Sequence, residues 1–188
     1  EAYGVEPALI TELDWWEQHT VGELQFTATP AQHFSGRSLT GRNSTLWSSW
    51  VIGSAHRRLF FSGDTGLTDE FTAIATRFAP FEVTLLEVGA WHPAWGRIHL
   101  GPDNALTAFA QLGGGTLLPV HWGTFDLGLH PWAQPMETLL THAAGARVLT
   151  PTLGRPFEPA HAPGPEPWWR AVGAAATVEQ PVAEVYAD

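Results

Sequence analysis

Between residues 58 and 120 the chain alternates short apolar runs with segments of helical periodicity, and this rhythm narrows the possible folds more than anything else in it. The runs at 58–62, 83–88 and 116–120 are rich in large and β-branched apolar residues and have the length of buried strands. Between the first two, Leu67, Phe71, Ile74, Ala75 and Phe78 recur at helical spacing, with Asp69 and Glu70 where the helix dipole favours acids. That spacing predicts a helix over 67–78, and 103–112 reads as a second. Strand, helix, strand, helix, strand implies helices packed on a sheet.

The flanks extend the pattern. ELQFTAT at 23–29 alternates polar and apolar residues and reads as a half-buried strand ending at Pro30. Residues 46–52 and 58–62 are two β-rich segments at hairpin spacing, and 32–44 is a loop full of His, Ser, Gly, Arg and Asn. A helix at 134–144, stopped by Gly145, and a short strand at 147–149 close the regular part. After Gly154 the composition turns to Pro, Ala and Glu, with APGPEP at 162–167 and no apolar periodicity. One domain over 1–154 and a tail over 155–188 are therefore expected. Trp168 and Trp169 are expected to dock that tail, since paired exposed indoles form a costly apolar patch.

Composition removes several classes of function. With 44% hydrophobic residues the chain has a core to build, yet no stretch reaches the roughly 18 uninterrupted apolar residues of a membrane span. All nine cations are Arg, against 19 acids and a net charge of −10. The absence of Lys excludes a Schiff base and a Walker-type phosphate loop, and the acidic balance argues against nucleic acid as partner. No Cys is present, which excludes disulfides, thiolate metal sites and cysteine nucleophiles and leaves His, Asp and Glu as metal ligands. The cysteine usage and the lack of a visible signal peptide lead to a cytoplasmic expectation, and a first residue of Glu1 to the expectation of a processed or partial chain.

Of nine His residues, His33, His99 and His121 stand out because each lies where a regular element meets a loop, a place from which a rigid scaffold aims side chains at one point. His19, His56, His130, His142 and His161 read as ordinary. Asp64 sits in FFSGDTG, after an apolar strand and between glycines. It is either an exposed carboxylate at a strand end or a cap for the helix that follows. His121, in LLPVHWGTF, is either aimed out of a strand end or a hydrogen-bonded core histidine.

TPAQHFSGR at 29–37, RNSTLWSSWVI at 42–52, FFSGDTG at 60–66 and PVHWGTF at 119–125, in that order, resemble the metallo-β-lactamase superfamily. The resemblance runs from Ile10 to Pro151 and is nearest to the branch of N-acyl-phosphatidylethanolamine-hydrolysing phospholipase D and its bacterial relatives. It implies an α/β fold, the four-layer αββα sandwich, here mainly its C-terminal half. It also implies two divalent metal ions, zinc first among them, with His33 ligating one, His121 the other and Asp64 bridging both. His99, in GRIHLGPDNA, matches a histidine that holds or protonates the substrate or leaving group; with Asp64 it makes the implied catalytic pair. Ser35, Gly36 and Arg37 are weaker candidates for shaping the mouth, Arg37 as a phosphate contact.

The implied reaction is hydrolysis of a phosphodiester, such as that of an N-acyl phospholipid, by hydroxide held between two metals. Alternatives are a lactonase or other ester hydrolase, or a non-catalytic remnant that binds a partner. The superfamily signature H-x-H-x-D-H does not occur in these 188 residues. The expected partners are accordingly a small-molecule or phospholipid substrate, with peripheral membrane contact, and the N-terminal half of the fold as a separate or cleaved chain, or a homo-oligomer. A half-sandwich would expose the inner face of its sheet.

Overall fold

The computed structural model describes residues 4–36, 41–125 and 127–175. One seven-stranded sheet organises them, with spatial order equal to chain order: β1 (Gln18–Val21), β2 (Leu24–Pro30), β3 (Ser48–Gly53), β4 (Arg58–Phe61), β5 (Val83–Glu87), β6 (Thr116–Val120) and β7 (Arg147–Val148). The first four strands pair antiparallel and the last four parallel. The parallel connections need crossovers, and helices α1 (Glu70–Phe78), α2 (Gly101–Gln111) and α3 (Gln134–His142) supply them. A fourth helix, α4 (Trp168–Ala175), follows β7.

The period of two along each strand sorts the side chains. Val51, Phe60, Leu86, Leu117 and Val148 point to one face and are buried against Phe71 and Ile74 of α1, Ala105, Ala108 and Phe109 of α2, and Met136 and Leu139 of α3. The opposite face carries Phe26, Trp50, Ile52, Leu59, Phe61, Leu85 and Leu118, all partly or largely exposed. Among the described residues no helix covers it, so the chain builds a sheet and one helical layer. The edges are blunt: β1 is polar and exposed along its length, and β7 is two residues long. Among the described residues no helix is long and apolar enough to cross a membrane.

Strands 23–29 and 116–120 lie where the periodicity puts them. Helix α1 starts at Glu70, three residues late, and α2 starts at Gly101, two early, with Pro102 in its first turn. Strand β1 was not expected, because a wholly exposed edge strand carries no alternation to read. The region after Gly154 is not uniformly irregular, since α4 lies within it. Trp169 is 1% exposed, its ring 5.2 Å from that of Trp122, and Trp168 stacks on Trp122 at 5.4 Å. The two indoles thus dock the segment as expected.

Glu137 of α3 completes that docking. Its Oε1 accepts from Trp169 Nε1 at 2.8 Å and Arg170 Nε at 2.9 Å, and its Oε2 from Arg170 Nη2 at 2.7 Å. The hydrogen bonds from Arg170, then from Trp169, hold the Glu137 carboxyl down at about 2. A carboxyl depressed by folding stabilises above its unfolded value near 4.5 and stops doing so as pH falls toward 2. Indole resonances followed from pH 6 to pH 2 are therefore expected to report loosening of α4 across the lower part of that range; Glu137→Gln should remove the pH dependence.

Next to Trp122, the connections after β5 and β6 touch. A Cβ built on Gly89 would lie 2.7 Å from the His121 carbonyl oxygen and 2.8 Å from Trp122 Cβ. Only a residue without a side chain lets these two segments meet. Gly89→Ala is expected to destabilise the fold by about 1–3 kcal/mol, the usual range for overpacking, and to shift the His121 ring resonances. An unchanged melting temperature would show that the contact is softer than its geometry.

Candidate functional site

Four loops converge at one edge of the sheet. β2 and β4 each run antiparallel to β3, so they point the same way, and β5 and β6 are parallel to β4. The carboxyl ends of β2, β4, β5 and β6 therefore share an edge, and His33, Asp64, Glu87 and His121 stand at or just beyond those ends. His99 comes from the turn that opens α2. The position resembles that of ligand sites in other α/β sheets, outside the carboxyl ends of the strands.

The three imidazoles form a row. Ring centroids of His33 and His99 are 5.2 Å apart at 71°, and those of His99 and His121 are 5.2 Å apart at 17°. In each ring Nδ1 faces an oxygen of the chain. His33 Nδ1 lies 2.9 Å from the Phe34 carbonyl and His121 Nδ1 lies 3.0 Å from the Gly89 carbonyl. A carbonyl only accepts, so these two nitrogens carry the protons and each Nε2 keeps its lone pair. The Nε2 of His33 is buried with no hydrogen-bond partner, while that of His121 is 3.6 Å from Asp64 Oδ1. His121 holds its place in a left-handed backbone conformation, φ +63°, rare for a residue with a side chain and common at functional sites.

Asp64 does not cap a helix: α1 begins six residues later, behind Asp69. Its side chain is 50% exposed, a free carboxylate beside an imidazole. His99 is the reverse, 12% exposed, with Nδ1 only 2.6 Å from Glu87 Oε2. Burial lowers the pKa of His99, but the hydrogen bond to Glu87 and the charges of Glu87 and Asp64 outweigh it, so the net shift is upward.

Sequence reading missed Glu87. The available signal was one acid in the apolar run VTLLEV, where a buried charge must have partners. The carboxylate is fully buried, and its Oε1 accepts from the backbone N–H of Leu100 at 2.8 Å and of Thr65 at 3.2 Å. Glu87, His99 and His121 offer ligand atoms within 4.8 Å of one another. With both carboxylate oxygens already engaged, however, Glu87 is placed to orient imidazoles rather than to ligate. The Nε2 atoms of His33 and His121 and the Asp64 carboxylate are of the types that bind a borderline divalent cation, but among the described residues the ligand atoms that lie within 4.8 Å of one another are those of Glu87, His99 and His121.

The weaker candidates divide. Ser35 Oγ donates to the Thr45 carbonyl, bracing its own loop, and Gly36 packs over Arg42. Arg37 lies outside the described residues. Beside His121 opens a pocket of about 670 Å³, solvent at its mouth included, lined by Trp122, Phe125, Leu127, Trp132 and His130. The sequence had placed His130 among the ordinary histidines; its ring packs 4.5 Å from that of Trp91.

The profile of the beta-lactamase superfamily domain matches residues 2–122. The protein Rv0906 of Mycobacterium tuberculosis is 44% identical over 174 residues, 90% of this chain and 46% of that protein. An N-acyl-phosphatidylethanolamine-hydrolyzing phospholipase D of Caenorhabditis elegans is 35% identical over 126 residues, 63% of this chain and 35% of the relative. The chain thus spans less than half the length of these relatives. Among solved structures, Igni18, a metallo hydrolase of the archaeon Ignicoccus hospitalis, superposes with a TM-score of 0.59 at 22% identity over 79% of this chain and 61% of its own, a likeness of fold. Sheet order, the edge at which the histidines gather and the matched profile agree, and the chain belongs to the metallo-β-lactamase superfamily.

Proposed function

We propose that this chain carries one side of a dinuclear metal centre in a hydrolase of phosphodiesters, with His33 ligating one cation, His121 the other and Asp64 both. The observation that supports this most is the arrangement of the imidazoles. Two backbone carbonyls fix the protons of His33 and His121 on Nδ1, so both present an unprotonated Nε2 on the edge where Asp64 is exposed. Divalent ions held there, zinc by preference, supply activation of water and polarisation of the scissile group near neutral pH.

The chain's own side chains supply the rest. His99, braced at Nδ1 by Glu87, presents an open Nε2 that takes a proton from the attacking water and passes it to the leaving oxygen. The apolar pocket beside His121 receives the hydrocarbon part of the substrate, in keeping with the phospholipid after which the Caenorhabditis elegans relative is named. The uncovered sheet face, with Trp50, Ile52, Leu59, Phe61, Leu85 and Leu118, is where the N-terminal half of the fold seats, bringing the H-x-H-x-D-H ligands.

Elemental analysis of the full-length natural protein is expected to give close to two metal ions per site. His33→Ala, Asp64→Asn and His121→Ala should each lower metal content and cut turnover of a bis-aryl phosphodiester by more than the roughly 10–100-fold typical of residues that only orient ligands. No metal after zinc loading would overturn the reading, and turnover of lactones in place of phosphodiesters would select the ester hydrolase.

The pocket makes a separate prediction. Truncation by Trp132→Ala should raise KM for long-chain phosphodiesters about tenfold and leave short-chain ones unchanged, since one large apolar contact is worth about 1.5–3 kcal/mol. Equal effects on both would remove the pocket from substrate binding.

A further inference from the structure

We infer that Glu87 is a positioning residue: a buried carboxylate that keeps the proton of His99 on Nδ1 and, through two backbone amides, sets His99 against Asp64. The catalytic consequence rests on the hydrolase reading, whereas the orientation itself does not.

His99 differs from the other two histidines. The partners of His33 and His121 are carbonyls, which cannot donate, so their tautomers follow directly. His99 faces a carboxyl group, and a neutral carboxylic acid would donate to Nδ1 and put the ring proton on Nε2, the opposite tautomer. The surroundings of Glu87 decide between them. Its Oε1 faces two backbone N–H groups, Leu100 at 2.8 Å and Thr65 at 3.2 Å, and these can only donate. Oε2 lies 2.6 Å from His99 Nδ1 and 3.5 Å from His121 Nδ1, the latter already protonated toward Gly89. Every polar neighbour of this carboxyl is therefore a donor or is free to become one, which is the environment of a carboxylate. The proton belongs on His99 Nδ1, and Nε2 is left open.

The same group joins three segments. Glu87 ends β5, Thr65 follows Asp64 in the loop after β4, and Leu100 follows His99 at the opening of α2. The Glu87 N–H also donates to Ser62 Oγ at 3.1 Å, binding it a second time to the strand that carries Asp64. One side chain thus fixes the relative positions of the exposed carboxylate and the largely buried imidazole. No other carboxylate among the described residues reaches both segments.

Long-range proton–nitrogen correlation of the imidazoles, in full-length protein with zinc present and at about pH 9, above the ordinary imidazole range, reads the tautomer directly. Wild type is expected to show His99 protonated at Nδ1. Glu87→Gln preserves size, but its amide oxygen is needed by Thr65 and Leu100, which turns the NH2 toward His99 and moves the ring proton to Nε2. Turnover in that variant should fall about 10–100-fold, the usual cost of losing such an orienting partner, with KM little changed.

A wild-type His99 protonated at Nε2, or a tautomer that Glu87→Gln leaves as it was, overturns the proposal. Should the variant not fold, the wild-type spectrum still decides. Should wild type bind no zinc and hydrolyse nothing, the hydrolase reading fails while the same two spectra still judge Glu87.

Discussion

Because β3 runs against both of its neighbours, β2 and β4 point the same way, and the parallel pairings carry that direction on through β5 and β6. Every chemically capable side chain of the site depends on this. His33, Asp64, Glu87 and His121 are separated by 23 to 88 residues in the chain, yet each stands at or just past the carboxyl end of a co-directional strand. Neighbouring strands lie about 4.8 Å apart, so groups at their ends come within reach of common ligands without any long excursion of the loops. Backbone carbonyls and one buried carboxylate then turn the rings, and the close passage at Gly89 holds His121 in its unusual conformation.

The sheet is asymmetric in its two faces, and the site lies on the boundary between them. Helices bury one face from β3 to β7, whereas the other leaves Trp50, Ile52, Leu59 and Phe61 partly in solvent. Apolar area of that kind is stabilising only when covered, at about 25 cal/mol per Å². Asp64 is likewise half-exposed, at the carboxyl ends of the same strands.

Legibility in the sequence followed burial. Strands with strict alternation or continuous apolar runs, such as 23–29 and 116–120, announced themselves because one face or both are buried. β1 is exposed along its length and left no trace of period, and α4 depends on the Trp122 ring and the Glu137 carboxylate, both far from it in the chain. The same division runs through the site. Asp64, His99 and His121 sit in glycine-flanked or junction motifs that can be recognised in one dimension. Glu87 reads as a stray acid in an apolar run, because what defines it is three donors from segments that only the fold assembles.

Trp122 links α4, the last element among the described residues, to the pocket beside His121. One surface of its ring lines the pocket beside His121, and the ring also packs against Trp168 and Trp169 of α4. The matched profile ends at residue 122, so the segment that braces this wall lies beyond the portion shared through that profile. Metal ligands must keep their chemistry for the reaction to survive, whereas a pocket wall held from behind by a C-terminal helix can be reshaped by changes in that helix alone. The strand ends that carry the histidines and Asp64, with their bracing oxygens, are thus structurally separate from the aromatic packing behind Trp122 that shapes the pocket.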